Sequence, residues 1–181
     1  FSITKIFFLS NNLKLQFFKS FILPHFDYCL SLAIYFSNTV IGELERLYNF
    51  CLYTLLKIKL KDIMLDQQFS ILKDVHLLPF RLRLLYRLSL FTHKIMADNI
   101  LEDFKNNLIL SNNLNLRSNN IYSIPFASTN LGMKRLSIFL PKFINNIFKY
   151  SIFLKISDFK FFVLLNILNL YSLFEKHFLC N

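Results

Sequence analysis

The chain has 181 residues, 54% of them hydrophobic, and a formal net charge of +10, which is long enough to bury a core in one compact domain or two small ones. Two glycines, four prolines and no tryptophan stand beside 23 phenylalanines; this excludes a glycine-built phosphate loop and makes AT-rich codon usage a source of the apolar excess. Three cysteines without close spacing exclude a disulfide framework and fit a reducing intracellular compartment, while the basic balance points either to an anionic partner (nucleic acid or a membrane surface) or to lysine supplied by the same codon bias.

The stretch Phe1 to Leu9 is apolar but short, holds Lys5 and precedes no small-residue cleavage site, so it does not read as a secretory signal. Because it starts on Phe rather than Met, the chain is expected to be a fragment. A first helix is predicted over Leu13 to Ile22, stopping before Pro24, and a second apolar stretch covers Phe26 to Phe36. Ser37, Asn38 and Thr39 then offer capping side chains for a long helix over Val40 to Ile58. Its expected buried stripe is Val40, Leu44, Leu47, Cys51, Leu55 and Ile58, reinforced by Tyr48 and Leu52.

A shorter helix is predicted over Asp62 to Lys73, and Pro79 opens another over Phe80 to Ala97, with Leu84, Leu88, Phe91 and Ile95 as its apolar row. On a different face of that helix, Arg83, Arg87 and Lys94 fall within about 40° of one another at 100° per residue. That row is either a solvated face or a surface that tracks phosphates. From Asn106 to Asn130 periodicity fails and Asn, Ser and Thr dominate, so a loop is expected there with a short strand near Ile121 to Ile124. Leu136 to Phe139 reads as a short extended piece, Pro141 as the start of a helix to Tyr150, and Asp158 onward as an amphipathic helix. On that last helix Leu164, Ile167, Leu168, Tyr171 and Phe174 form the apolar face; Asn166, Asn169, Ser172 and Lys176 share another stripe. The most apolar run, Phe161 to Phe174, is about fourteen residues and spanning a bilayer takes about 20, so a core-packing helix is expected and membrane insertion is not. The resulting expectation is a mainly α protein: a small helical bundle over residues 1–105, an irregular segment over 106–135 and a C-terminal helical segment over 136–181.

No residue pattern supplies a catalytic centre. Two-metal polymerases need convergent carboxylates, yet no Asp-Asp pair occurs, and the adjacent Glu102 and Asp103 read as solvated acids at a helix start. His25 with Cys29, and His177 with Cys180, lack the paired spacing of structural zinc sites; Cys29 and Cys51 read as small buried residues. His76, ahead of Leu77, Leu78 and Pro79, reads as a core or turn histidine. No cofactor, metal or small-molecule substrate is expected.

Several blocks nevertheless resemble one family. Ser20-Phe21-Ile22-Leu23-Pro24-His25-Phe26-Asp27-Tyr28-Cys29 resembles a segment just downstream of the polymerase core in non-LTR (LINE-type) retrotransposon reverse transcriptases, especially the jockey-like group. Leu44-Glu45-Arg46-Leu47-Tyr48-Asn49 resembles the next block, where the fifth position is usually Gln. Leu78-Pro79-Phe80-Arg81-Leu82-Arg83, followed by Leu88-Ser89-Leu90-Phe91-Thr92-His93-Lys94-Ile95, resembles the third, and Arg117-Ser118, Ile124-Pro125 and Gly132 through Asn145 echo the closing blocks. The order holds from about Leu13 to about Leu168. In the closing block Phe139 and Pro141-Lys142 remain, but Ile144 stands where Trp is usual and Phe148 where Pro is usual, which predicts looser packing at that corner and a drifting copy.

The resemblance implies the thumb and helical connector of an RNA-directed DNA polymerase, inactive alone, with palm and fingers missing upstream. A thumb contacts the backbone of primer and template, which would give Arg83, Arg87 and Lys94 an RNA or DNA backbone as partner, in the cytoplasm or nucleus. Two other readings stay open: a small membrane-associated hydrophobic protein, and a transposable-element relic without function.

Overall fold

Helix formation begins at Ser10, whose hydroxyl accepts a hydrogen bond from the Leu13 backbone N–H at 3.5 Å. In the computed structural model, residues 9–28, 30–97, 121–126, 128–129, 135–148, 151–152 and 154–179 are described. They are mainly helical, as expected, and the chain divides into two compact units, Phe1–Leu84 and Leu85–Asn181.

In the first unit, α1 (Asn11–Phe17) passes into a π-helical turn (Phe18–Ile22) and on into α2 (Leu23–Tyr28). Pro24 therefore does not stop the helix, contrary to the sequence expectation. In a regular α turn its ring would collide with the Ser20 carbonyl. Here the turn before it is widened, with the Leu23 N–H donating to the Phe18 carbonyl five residues back. A 3₁₀ segment (Leu30–Tyr35) follows, and Cys29 lies outside the described residues.

Ser37 caps α3 (Asn38–Leu56), its hydroxyl accepting from the Val40 N–H at 3.3 Å. The buried face of α3 differs from the predicted one. Tyr48, Leu52 and Leu55 are buried as predicted and Ile41 joins them, whereas Leu47 is 52% exposed and Val40 is exposed as well. The C-terminal half of this helix is apolar nearly all round, so two neighbouring stripes satisfy a 3.6-residue period equally well. A polar contact selects between them: the Tyr48 hydroxyl donates to the Leu78 carbonyl at 2.8 Å. The helix ends at Lys57, which takes a left-handed conformation (φ 59°) and donates its N–H to the Tyr53 carbonyl.

Helix α4 (Leu65–Lys73) starts three residues later than predicted because Asp62 is left-handed (φ 61°) and cannot open a right-handed helix. It closes in a Schellman motif. His76 is left-handed (φ 54°) and donates to the Lys73 carbonyl, while the Leu77 N–H reaches the Leu72 carbonyl at 3.0 Å. Leu72 and Leu77 are both buried, the apolar contact that accompanies this motif. His76 is thus a turn histidine. Helix α5 (Phe80–Ala97) starts after Pro79 as predicted, with Leu84, Leu88 and Ile95 buried. The buried hydroxyls of Ser89 and Thr92 donate to the Leu85 and Leu88 carbonyls at 2.6 and 2.9 Å.

In the second unit, α6 (Leu136–Phe143) occupies the place where a short extended piece is predicted. A brief apolar run has no period that tells strand from buried helix. Ile138, Phe139, Leu140 and Phe143 are all buried, so burial on every side hides the helical period. Pro141 lies in the second turn instead of opening the helix, and a π-helical turn (Ile144–Phe148) follows. The predicted strand near Ile121 to Ile124 does not form; no strand occurs among the described residues. Instead a side chain holds that segment: Asn145, itself buried, accepts the Ile121 and Tyr122 N–H groups at 3.0 Å each and donates to the Tyr122 carbonyl at 2.7 Å.

The predicted single C-terminal helix is two, α7 (Ile156–Leu165) and α8 (Ile167–Phe174), bent by 78° at Asn166. The Asn166 side-chain amide donates to the Phe162 carbonyl at 3.0 Å, a local bond that competes with helix continuation. Of the predicted apolar face, Ile167, Tyr171 and Phe174 are buried but Leu164 is exposed, and Leu170 takes part in the core. A last π-helical turn (Glu175–Leu179) follows. Residues 106–120 and 130–134 of the predicted irregular segment lie outside the described residues.

Candidate nucleic-acid interface

Three of the resembling blocks meet in one cluster inside the first unit. From the first block, the Asp27 carboxylate accepts two hydrogen bonds from the Arg83 guanidinium of the third, at 2.6 Å (Nε) and 2.5 Å (Nη2). Side chains of this pair are 12% and 15% exposed for Arg83 and Asp27, so the pair is largely withdrawn from water. The Phe26 ring packs edge-on against Tyr48 at 5.3 Å and against Phe80 at 6.2 Å, and Tyr48 meets Phe80 at 5.8 Å. Tyr48 belongs to the second block and donates to Leu78 of the third. A more exposed pair, Arg81 with Glu45 at 2.9 Å, joins the same two blocks.

Burial chiefly raises the Tyr48 pKa above the ordinary phenol value; Arg83 lowers it and Asp27 raises it by smaller amounts. Burial alone raises the Cys51 thiol and the Tyr122 phenol. An activated nucleophile needs the opposite shift, so none of these groups reads as a reactive centre.

The sequence-predicted basic row lies along α5. Arg83 is engaged by Asp27, Arg87 is partly buried, and Lys94 is exposed. Among the described residues no group of three or more His, Cys, Asp or Glu side chains is placed to hold a metal ion. Glu102 and Asp103, like Cys29 and Cys180, lie outside the described residues. His93 is buried, with Nε2 2.7 Å from the Leu154 carbonyl and its ring stacked on Phe159 at 4.5 Å. Those contacts make it a packing residue of the second unit.

An open groove of about 850 Å³ lies between α3, which contributes Arg46, Phe50 and Tyr53, and the loop after it, which contributes Lys59 and Lys61. Phe50 is 62% exposed. The Lys57 and Lys59 ammonium groups sit over the Tyr53 ring, 5.5 and 5.7 Å from its centre. Gln68 of α4 holds the loop, donating through Nε2 to the Ile63 carbonyl at 2.8 Å and to the Leu60 carbonyl at 3.3 Å. Leu60 is buried beneath the loop while Lys57, Lys59 and Lys61 face solvent. The signal was present in the sequence: Lys57-Ile58-Lys59-Leu60-Lys61 alternates cation and aliphatic residue at period two, which a helical reading through Ile58 overlooks.

The chain matches no protein-family model, no curated protein and no solved structure. Among the described residues no single helix is long and apolar enough to cross a membrane; only the bent pair α7 and α8 passes that test jointly.

Proposed function

We propose that the chain is the post-palm part of a LINE-type reverse transcriptase, a helical module that contacts the backbone of an RNA–DNA duplex and carries no catalytic centre. The observation that supports this reading is the interlocking of the resembling blocks. Pro24 to Tyr28, Leu44 to Tyr48 and Leu78 to Arg83 are distant in sequence, yet their polar and aromatic side chains are one another's partners. Residues that read as a family signature would then form the structural hub of the thumb-like unit, leaving backbone contact to cations outside that hub. Within the row Arg83, Arg87 and Lys94, Arg83 would reach a phosphate only by exchanging its Asp27 partner.

Binding of a labelled RNA–DNA hybrid, followed by fluorescence anisotropy across a salt series, tests the reading. Affinity is expected to fall by orders of magnitude between about 50 and about 200 mM salt if several phosphates are neutralised. Replacing Arg87 and Lys94 together by Ala should flatten the logarithmic salt slope by about 2, close to one unit per lost phosphate contact. An affinity that ignores salt would sink the reading.

A further inference from the structure

We propose that the groove between α3 and the Lys57–Met64 loop is a second nucleic-acid site, one that takes an unpaired strand by stacking a base on Phe50 and holding phosphates on Arg46, Lys59 and Lys61. This inference stands independently of the polymerase origin, because none of its residues belongs to the α5 row.

Chemical complementarity identifies the occupant. A large aromatic ring left 62% exposed within a groove, with cations around it, matches a ligand that is flat and apolar on its faces and anionic along its chain. Single-stranded nucleic acid has that combination, whereas a duplex keeps its base faces covered. Asn49 and Asp62 also line the groove. They offer donors and an acceptor to the edge of a base. The surface is concave as well, which suits a splayed nucleotide better than the plane of a bilayer.

The cationic wall is held in place before any ligand arrives. Lys57 and Asp62, at the two ends of the loop, both adopt left-handed backbone conformations that cost a non-glycine residue energy. The Gln68 amide ties the interior of the loop to α4 through two carbonyls. Buried Leu60 acts as a plug, turning Lys59 and Lys61 outward on either side of it. Such fixing reduces the ordering cost of binding. The lysine contacts on Tyr53 are exposed and individually weak, so an arriving phosphate displaces them readily.

The test uses the whole chain and a labelled oligouridylate of about 16 nucleotides, near the upper end of single-strand site sizes. Phe50→Ala is expected to weaken binding at least about fivefold, with Phe50→Trp restoring it, as stacking on a side chain requires. Lys59→Gln with Lys61→Gln should flatten the salt slope by about 1.4, at about 0.7 per single-strand phosphate. The exposure of Phe50 lets its variants keep the fold, which circular dichroism verifies. RNA–DNA hybrid binding should be unchanged by Phe50→Ala and reduced by the α5 variant, so the two sites report separately. Unchanged oligouridylate binding by Phe50→Ala overturns the proposal. So does binding to phosphatidylcholine–phosphatidylserine vesicles that depends on Phe50 and is not competed by oligouridylate.

Discussion

The two units of the chain are each stabilised internally by different physics. In Phe1–Leu84 the decisive contacts are directional: a withdrawn ion pair, a buried phenol on a carbonyl, and three left-handed residues that fix helix ends and a loop. In Leu85–Asn181 the core is an aromatic mass. Phe143 alone lies within 6 Å, centre to centre, of Phe139, Phe148, Phe174 and Phe178, and one buried Asn ties down the loop beside it. Directional contacts specify a single geometry, whereas aromatic burial supplies much energy but tolerates many arrangements. That difference bears on Ile144 and Phe148, where the sequence leads one to expect a loose corner and both side chains are buried. A phenylalanine-rich unit accommodates side chains of varied shape more easily than the first unit would.

The largest way to probe this contrast is Phe143→Ala. Deleting a fully buried ring at the centre of the cluster should cost about 3–5 kcal/mol. Hydrogen exchange should then accelerate in Leu85–Asn181 while Asn11–Tyr28 keeps its protection; equal loss in both would dissolve the distinction. Next comes Asp27→Ala, which strands the Arg83 charge and should cost about 3 kcal/mol by urea titration. The sharper arm is the double change Asp27→Leu with Arg83→Met, expected to regain most of that loss because paired apolar groups replace a buried ion pair with little penalty. A single variant within about 0.5 kcal/mol of the parent, the range of ordinary surface changes, would remove the ion pair from the account.

Elements announced by local chemistry were legible in the sequence. Pro79 marked the start of α5, Ser37 capped α3, and His76 had the setting of a turn histidine. Features decided by distant partners were not. The wheel that groups Arg83 with Arg87 and Lys94 carries no trace of Asp27, 56 positions away. The same blindness rotated the α3 stripe, since the Leu78 carbonyl that selects the Tyr48 face lies 30 positions downstream. Pro24 misled for another reason: whether a proline ends a helix depends on the width of the turn before it, and the π-helical turn at Phe18–Ile22 has no sequence signature. The cationic groove was visible only as a five-residue alternation, too brief to outweigh the helical period running into it.

The smallest expected effect concerns the contact that sets this face. Tyr48→Phe removes one hydrogen bond and should cost about 1 kcal/mol at neutral pH. Its pH dependence is more diagnostic than its size. The folded state raises the Tyr48 pKa, mainly through burial, so the neutral phenol is the form the fold favours. That contribution is fully present below the unfolded value of about 10 and is lost as pH rises toward the folded value, because the unfolded chain gives up its proton first. Stability of the parent should therefore decline above pH about 10, with this residue contributing up to about 1.4 kcal/mol per pH unit. Tyr48→Phe should remove that share of the decline. If parent and variant run parallel through the alkaline range, Tyr48 is not held neutral by its surroundings, and the directional anchoring of the first unit loses its central contact.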